Sequence, residues 1–178
     1  MIAGKKILYK QITPDVVDMS HKIEPQCLES ATQDIFLETL QHNLTANNIC
    51  LVDCGFVSEM NKWAVEFKVV PPVDRGVFYT GRINFENANI YATDYNKYLI
   101  SNLPGASTLN NIDIFQYCTY TQAIQTWEIL SESFASNACG TVDVFANSPP
   151  PGGVFTRIEF PALLLNDCVD TIVFWELI

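Results

Sequence analysis

Period-two alternation of apolar and polar residues is the feature that most constrains what this chain can fold into. In KWAVEFKVV, residues 62–70, the apolar Trp63, Val65, Phe67 and Val69 alternate with Lys62, Glu66 and Lys68, the spacing of a strand with one wet face. GVFYTGRINF repeats the pattern, with Val77, Tyr79, Ile83 and Phe85 on one side and Thr80, Arg82 and Asn84 on the other. The turn-rich PPVDRG between the two runs predicts a hairpin. Further strands are expected at NIYATDY, KYLIS, IDIFQYC, AIQTWEIL, TVDVFA, VFTRIEF and TIVFWELI, separated by Asn, Pro, Gly or Ser clusters. Many short strands in succession predict an all-β sandwich or barrel. A short helix is expected within PDVVDMSHKIEPQ. In CLESATQDIFLETLQHNL, Leu28, Ile35, Leu37 and Leu40 are spaced so that helix and strand both stay open.

At 178 residues the chain fits one domain, residues 1–178, with a single sizeable core. NSPPPGG at 147–153 reads as a connector inside that domain. A net charge of −10 excludes nucleic acid as a partner, because it repels a phosphate backbone. No run reaches the roughly 18 apolar residues of a membrane span, and MIAGKKILYKQ lacks the apolar core of a signal peptide, so a soluble chain is expected. Cys27, Cys50, Cys54, Cys118, Cys139 and Cys168 are even in number and widely spread, which predicts three disulfides. With no C-x-x-C pair and no histidine cluster, no metal site is expected. NLT at Asn43 is a glycosylation sequon, and with the cysteines it places the protein outside the cell as a secreted chain.

Catalysis requires a nucleophile or an acid–base pair, and His21 and His42 are the only imidazoles. No G-x-S-x-G, H-E-x-x-H or glycine-rich phosphate loop is present, and Asp53, Glu59, Glu66 and Asp74 are scattered. The expectation is a protein that is not an enzyme and needs no catalytic cofactor. Binding is the positive signal. Trp63, Phe67, Tyr79, Phe85, Tyr98, Phe115, Tyr117 and Trp127 fall on expected strands. In a barrel of about eight strands, inward rings of this kind line a packed core or a small-ligand cavity. Hiding about 400 Å² of apolar ligand surface gains roughly 10 kcal/mol at about 25 cal/mol per Å². Association costs of about 4–15 kcal/mol then leave micromolar binding within reach. The C-terminal run Ile172, Val173, Phe174 and Trp175 needs cover on both faces, from the barrel or from a second subunit in a homo- or hetero-oligomer.

ATDYNKYLIS, residues 92–101, carries Thr93, Asp94 and Tyr95 and resembles the second conserved segment of lipocalins, in the apolipoprotein D and crustacyanin branch. FQYC and TWEILSES resemble later strands of that branch, and the opening around Gly4, with Cys27 beyond it, is similar to the family's first segment. The likeness runs over residues 3–134 and leaves 135–178 unexplained. It implies an antiparallel up-and-down β-barrel with one or two short helices, in which Asp94 is structural. It also implies a carrier for a small hydrophobic ligand (carotenoid, retinoid, bilin, sterol or fatty acid), in one form a pigment-binding oligomer. The competing expectation is a structural or assembly β-sandwich whose aromatics form a plain core.

Overall fold

The computed structural model describes residues 5–12, 57–104, 106, 107, 109, 119–147, 149 and 151–177. Its strands are β1 (Lys6–Ile12), β2 (Gly76–Tyr79), β3 (Tyr98–Leu99), β4 (Gly140–Phe145) and β5 (Val169–Leu177). They form one sheet in the order β1-β5-β4-β2-β3, and every pairing is parallel. Parallel neighbours cannot be joined by a tight turn, so helices must carry the chain back across the sheet. Those described are α1 (Val57–Glu66), α2 (Gly81–Asp94), α3 (Tyr120–Ser136) and the short α4 (Phe160–Leu165).

Alternation along the strands sends side chains into two cores. Phe78, Val142, Val144 and Ile172 pack beneath α1, α3 and α4 with Ala64, Leu130, Phe134 and Leu163. Val77 and Phe145 pack on the opposite face against Ala88 and Ala92 of α2, with Tyr91 and Trp175 at the margin. The C-terminal run is packed on both faces within the chain, Ile172 and Phe174 on the larger core and Trp175 on the smaller one. Helix α3 anchors the larger core through Ala123, Leu130 and Phe134, spaced on one helical face. Phe134 meets Phe78 at a ring separation of 4.7 Å. Thr119 caps α3 reciprocally with Gln122.

The expected antiparallel all-β barrel is corrected to a layered α/β fold with a parallel sheet. In KWAVEFKVV the helix runs to Glu66, and Ala64 is buried while Val65 is 71% exposed, the reverse of the strand reading. In GVFYTGRINF the strand stops at Tyr79 and α2 takes over, leaving Ile83 70% exposed and Asn84 buried. NIYATDY and AIQTWEIL are also helical. Thr93, Asp94 and Tyr95 close α2 rather than open a barrel strand: Thr93 Oγ1 donates to the Asn89 carbonyl at 2.9 Å, and Asn96 turns the chain with φ 51°.

Cys139 and Cys168 form a disulfide where β4 and β5 begin. Cys27, Cys50, Cys54, Cys118, Asn43, Gly4, His21, His42 and both helix candidates before residue 50 lie outside the described residues. At the disulfide corner Gly140 adopts φ 73°, and a Cβ there would meet Asp74 Oδ1 at 2.2 Å. That carboxyl oxygen instead accepts from the Thr141 amide at 2.6 Å, tying the approach to β2 to the start of β4.

Under α2 a buried carboxylate ties four segments together. Asp143 of β4 is 2% exposed. It accepts from Trp175 Nε1 of β5 at 2.7 Å and forms an ion pair with Lys97, which follows α2. The Tyr91 phenol also bonds to Asp143, and burial together with that charge pushes its pKa up. Breaking one side of a buried pair strands a charge, a loss of about 3–5 kcal/mol. Lys97→Met should lower unfolding free energy in urea by about that amount, and Lys97→Met combined with Asp143→Leu should lose clearly less.

Candidate functional site

The chain reverses direction beside β2. From β2 it passes through α2 on one face to β3, then through α3 on the other face to β4. A crevice opens at such a switch point, beyond the carboxyl ends of the strands. Tyr79 ends β2 there, and the buried Thr80 stays extended, with φ −133° and ψ 128°, its amide donating to the Phe145 carbonyl at 3.0 Å. Gly81, at φ 74°, then turns the chain into α2.

A cavity of about 440 Å³ occupies this crevice. Tyr79, Thr80, Gly81 and Phe85 form one wall, and Ile100 and Ser101 another. Helix α3 adds Ile124, Trp127 and Ser131, and Gly153–Thr156 with Glu159 closes the ring. Tyr79 and Phe85 lie against each other with ring centroids 5.0 Å apart. Glu159 ends a π-helical turn, Phe155–Glu159, in which the Phe160 amide reaches back to the Phe155 carbonyl. Such wide turns recur at functional sites, where they redirect a side chain. Outside the cavity, Arg157 of this turn forms an ion pair with Glu128 of α3.

Glu159 is 7% exposed. Burial pushes its carboxyl from the usual 4.5 up to about 8, a rise partly offset by the hydrogen bond from the Ser131 hydroxyl. Burial, and then the nearby Glu159, push the Tyr79 phenol up to about 12, so it remains a hydrogen-bond donor. Trp127 Nε1 and Thr156 Oγ1 are buried without a hydrogen-bond partner among the described residues. Both residues line the cavity, and buried polar atoms of this kind call for a partner, a water or a ligand group.

Of the aromatic residues expected to bind a ligand, the structure brings Tyr79, Phe85 and Trp127 to this cavity. Phe67 and Tyr98 pack against the larger core instead, and Trp63 lies in α1. Phe115 and Tyr117 lie outside the described residues. Thr93, Asp94 and Tyr95 sit exposed at the far end of α2. Glu159 and Ser131 were not expected. Their signal was a lone acid inside the apolar run IEFPALLL, and a serine on the buried side of α3.

No protein-family model matches the chain, and no curated protein matches it. Solved structures do. Porcine CD38 complexed with a covalent intermediate, ribo-F-ribose-5'-phosphate, aligns with 83% of this chain and 81% of its own at 19% identity and a TM-score of 0.51. The fold is that of CD38 and the ADP-ribosyl cyclases. A glutamate-to-alanine mutant of ADP-ribosyl cyclase matches 69% of this chain at 19% identity and a TM-score of 0.51. Aplysia cyclase complexed with substrate NGD and product cGDPR matches 69% at 20% identity and a TM-score of 0.50. The chain spans 56% of the length of each of these cyclase chains.

The cyclase fold overturns the lipocalin resemblance and what it implied. A hydrophobic-ligand or carotenoid carrier and an inert β-sandwich module are both corrected, because neither architecture is present. The expectation of no enzyme is corrected too, since it was tied to a barrel, and the solved structures that share this fold are cyclases and a CD38 complexed with a covalent intermediate. The Cys139–Cys168 disulfide is compatible with secretion. Among the described residues no helix is long and apolar enough to cross a membrane.

The raised carboxyl has a thermodynamic consequence. Between pH 4.5 and about 8 the unfolded chain loses this proton while the folded chain keeps it. Its contribution to stability is therefore complete below pH 4.5 and declines as pH rises to about 8, by a few kcal/mol in all. Urea unfolding across this range should show that decline relative to Glu159→Gln, whose stability lacks this component.

Proposed function

We propose that this chain cleaves the N-glycosidic bond between the anomeric carbon of a ribose and a cationic, pyridinium-type base, with Glu159 as nucleophile. The observation that carries this reading is a single carboxyl, buried beside the Ser131 hydroxyl, facing a cavity ringed by Tyr79, Phe85 and Trp127. Aromatic faces attract a planar cation. A positive charge beside Glu159 favours its ionised form, so binding of the base displaces the carboxyl proton.

Glu159 then attacks C1′ from the face opposite the base. The C1′–O bond to the carboxylate forms as the C1′–N bond breaks, and the electron pair of that bond passes to the ring nitrogen. The base leaves neutral, which is why a cationic base is a good leaving group. The Ser131 hydroxyl orients the attacking carboxylate by its hydrogen bond, and the Tyr79 phenol supplies a donor at the cavity wall. Water, or a nucleophile elsewhere on the substrate, next attacks C1′ and releases the ribosyl product, while the attacking group gives up its proton and Glu159 returns to carboxylate. Support comes from the solved neighbours: porcine CD38 holds a covalent ribose-phosphate intermediate, and Aplysia cyclase was captured with NGD and cGDPR. The disulfide supports a site of action outside the reducing cytosol, and we place the enzyme there as a secreted protein.

Incubation of the full chain with NGD, followed by chromatography and mass analysis, should show release of the free base. The kcat/KM for that release should rise with pH to a plateau, with a midpoint near the free-enzyme value of about 8 for Glu159. Glu159→Gln should lower kcat by about 10⁴-fold, in line with loss of a nucleophile. Absence of base release from any pyridinium nucleotide, from about pH 6 to about pH 9, overturns the reading.

A further inference from the structure

The turn that carries Glu159 is docked on α3 at two points. Inside the cavity the Ser131 hydroxyl bonds to the Glu159 carboxyl, and outside it the Arg157 guanidinium donates to the Glu128 carboxylate. Glu128 and Ser131 stand three residues apart on α3, a spacing that makes them neighbours on one helical surface. Arg157 and Glu159 stand two apart in the turn, the first reaching outward and the second buried. The two contacts run in opposite senses: the turn donates to the helix through Arg157, and the helix donates to the turn through Ser131. The Glu128 side chain is only 20% exposed, so water does not screen the pair from every side.

The pitch of the backbone changes within this turn. The Arg157 amide donates to the Gly153 carbonyl at 3.0 Å, four residues back, whereas the Phe160 amide reaches the Phe155 carbonyl, five residues back. Successive side chains of a helix are offset by about 100°, so the point at which the pitch widens sets the direction in which Glu159 faces. Phe155 seats the start of the turn in the larger core, its ring 5.7 Å from Phe160 and 6.4 Å from Phe174. Arg157 lies between that seat and Glu159, where the four-residue pitch gives way to the five-residue one.

We infer that Arg157 and Glu128 are positioning residues for Glu159: their ion pair holds the widened turn Phe155–Glu159 against α3, with the carboxyl aimed at Ser131 and at C1′ of the ribose. The inference rests on the ribosyl-cleavage reading above and adds to it what keeps the nucleophile in line. The pair acts through position. Burial and the Ser131 hydroxyl set the proton affinity of Glu159, and the Tyr79 phenol faces it from β2. Cutting the pair therefore reaches Glu159 by moving the turn, and a carboxyl turned toward water falls from about 8 toward the ordinary 4.5.

The experiment cuts the pair in the full chain with Glu128→Gln and with Arg157→Met, and exchanges it in a double variant, Glu128→Arg with Arg157→Glu. Both side chains reach the surface, so neither change empties the core. One readout is kcat and KM for base release from NGD. The other needs no substrate: carbon NMR of the chain labelled at its glutamate carboxyls, with the Glu159 signal identified by its loss in Glu159→Gln. Each single variant should lower kcat about ten- to a hundredfold with KM held within about twofold. Each should also lower the Glu159 midpoint by about one pH unit or more, and the exchanged pair should recover most of both changes. An ion pair that only adds stability would move neither readout. A single-variant kcat within about twofold of the parent, an unchanged Glu159 titration, or an exchanged pair that recovers nothing overturns the inference and leaves the ribosyl-cleavage reading standing. If the parent chain releases no base from NGD, that reading loses its support there, and the NMR titration alone upholds or overturns the positioning role.

Discussion

Parallel pairing of β4 with β2 on one side and β5 on the other is the constraint on which the remaining architecture depends. Parallel strands need long crossings, and crossings lay helices on both faces, so each strand must be apolar on both sides. Val142 and Val144 meet one helical layer, while Phe145 meets the other. With α2 on one face and α3 on the other, the two helices part at the carboxyl end of β2, and the crevice between them is a by-product of topology. Asp143, on the same central strand, is the polar exception, and its partners come from α2, β5 and the segment after α2.

Within that crevice the fold works against its own acid. A carboxyl shielded from water is held protonated, and the single hydroxyl of Ser131 only partly relieves it. In the proposed reaction a cationic base displaces that proton, so that binding and ionisation are coupled. The same burial keeps the Tyr79 phenol protonated across the physiological range, so the two acids of the cavity have separate roles.

The sequence made the strands more legible than the helices, for a physical reason. TVDVFA and TIVFWELI read as strands and are strands, and the unbroken run in the second correctly demanded cover on both faces. AIQTWEIL misled because eight residues span little more than two helical turns, too short for alternation and 3.6-residue spacing to separate. Extended to Phe134, the same segment shows Ala123, Leu130 and Phe134 on one helical face. KWAVEFKVV misled because the alternating Val65 is a solvent-facing residue of a helix. The turn-rich PPVDRG suggested a hairpin, yet that segment leads from α1 into β2. At the site, the rings of Tyr79, Phe85 and Trp127 carried a visible signal as bulky groups, the first and last with polar handles. Glu159 did not, because VFTRIEF read as a strand gives a glutamate no special place. Its meaning arises only when a turn brings it against α3.

That turn, Phe155–Glu159, is one residue wider than an α-helical turn. It is the shape left when a helix accepts an insertion without repairing its frame. Side chains in an α-helix are offset by about 100° per residue, so deleting a single residue here would restore the ordinary pitch and rotate the neighbouring side chains by about that angle. The strands, the smaller core and the disulfide corner have no part in the turn and would keep their places, while of the larger core Phe155 lies in it. A descendant chain could thus retain the sheet, and even the glutamate itself, while its carboxyl faced away from the crevice. The proposed reactivity and the architecture are separable by one codon.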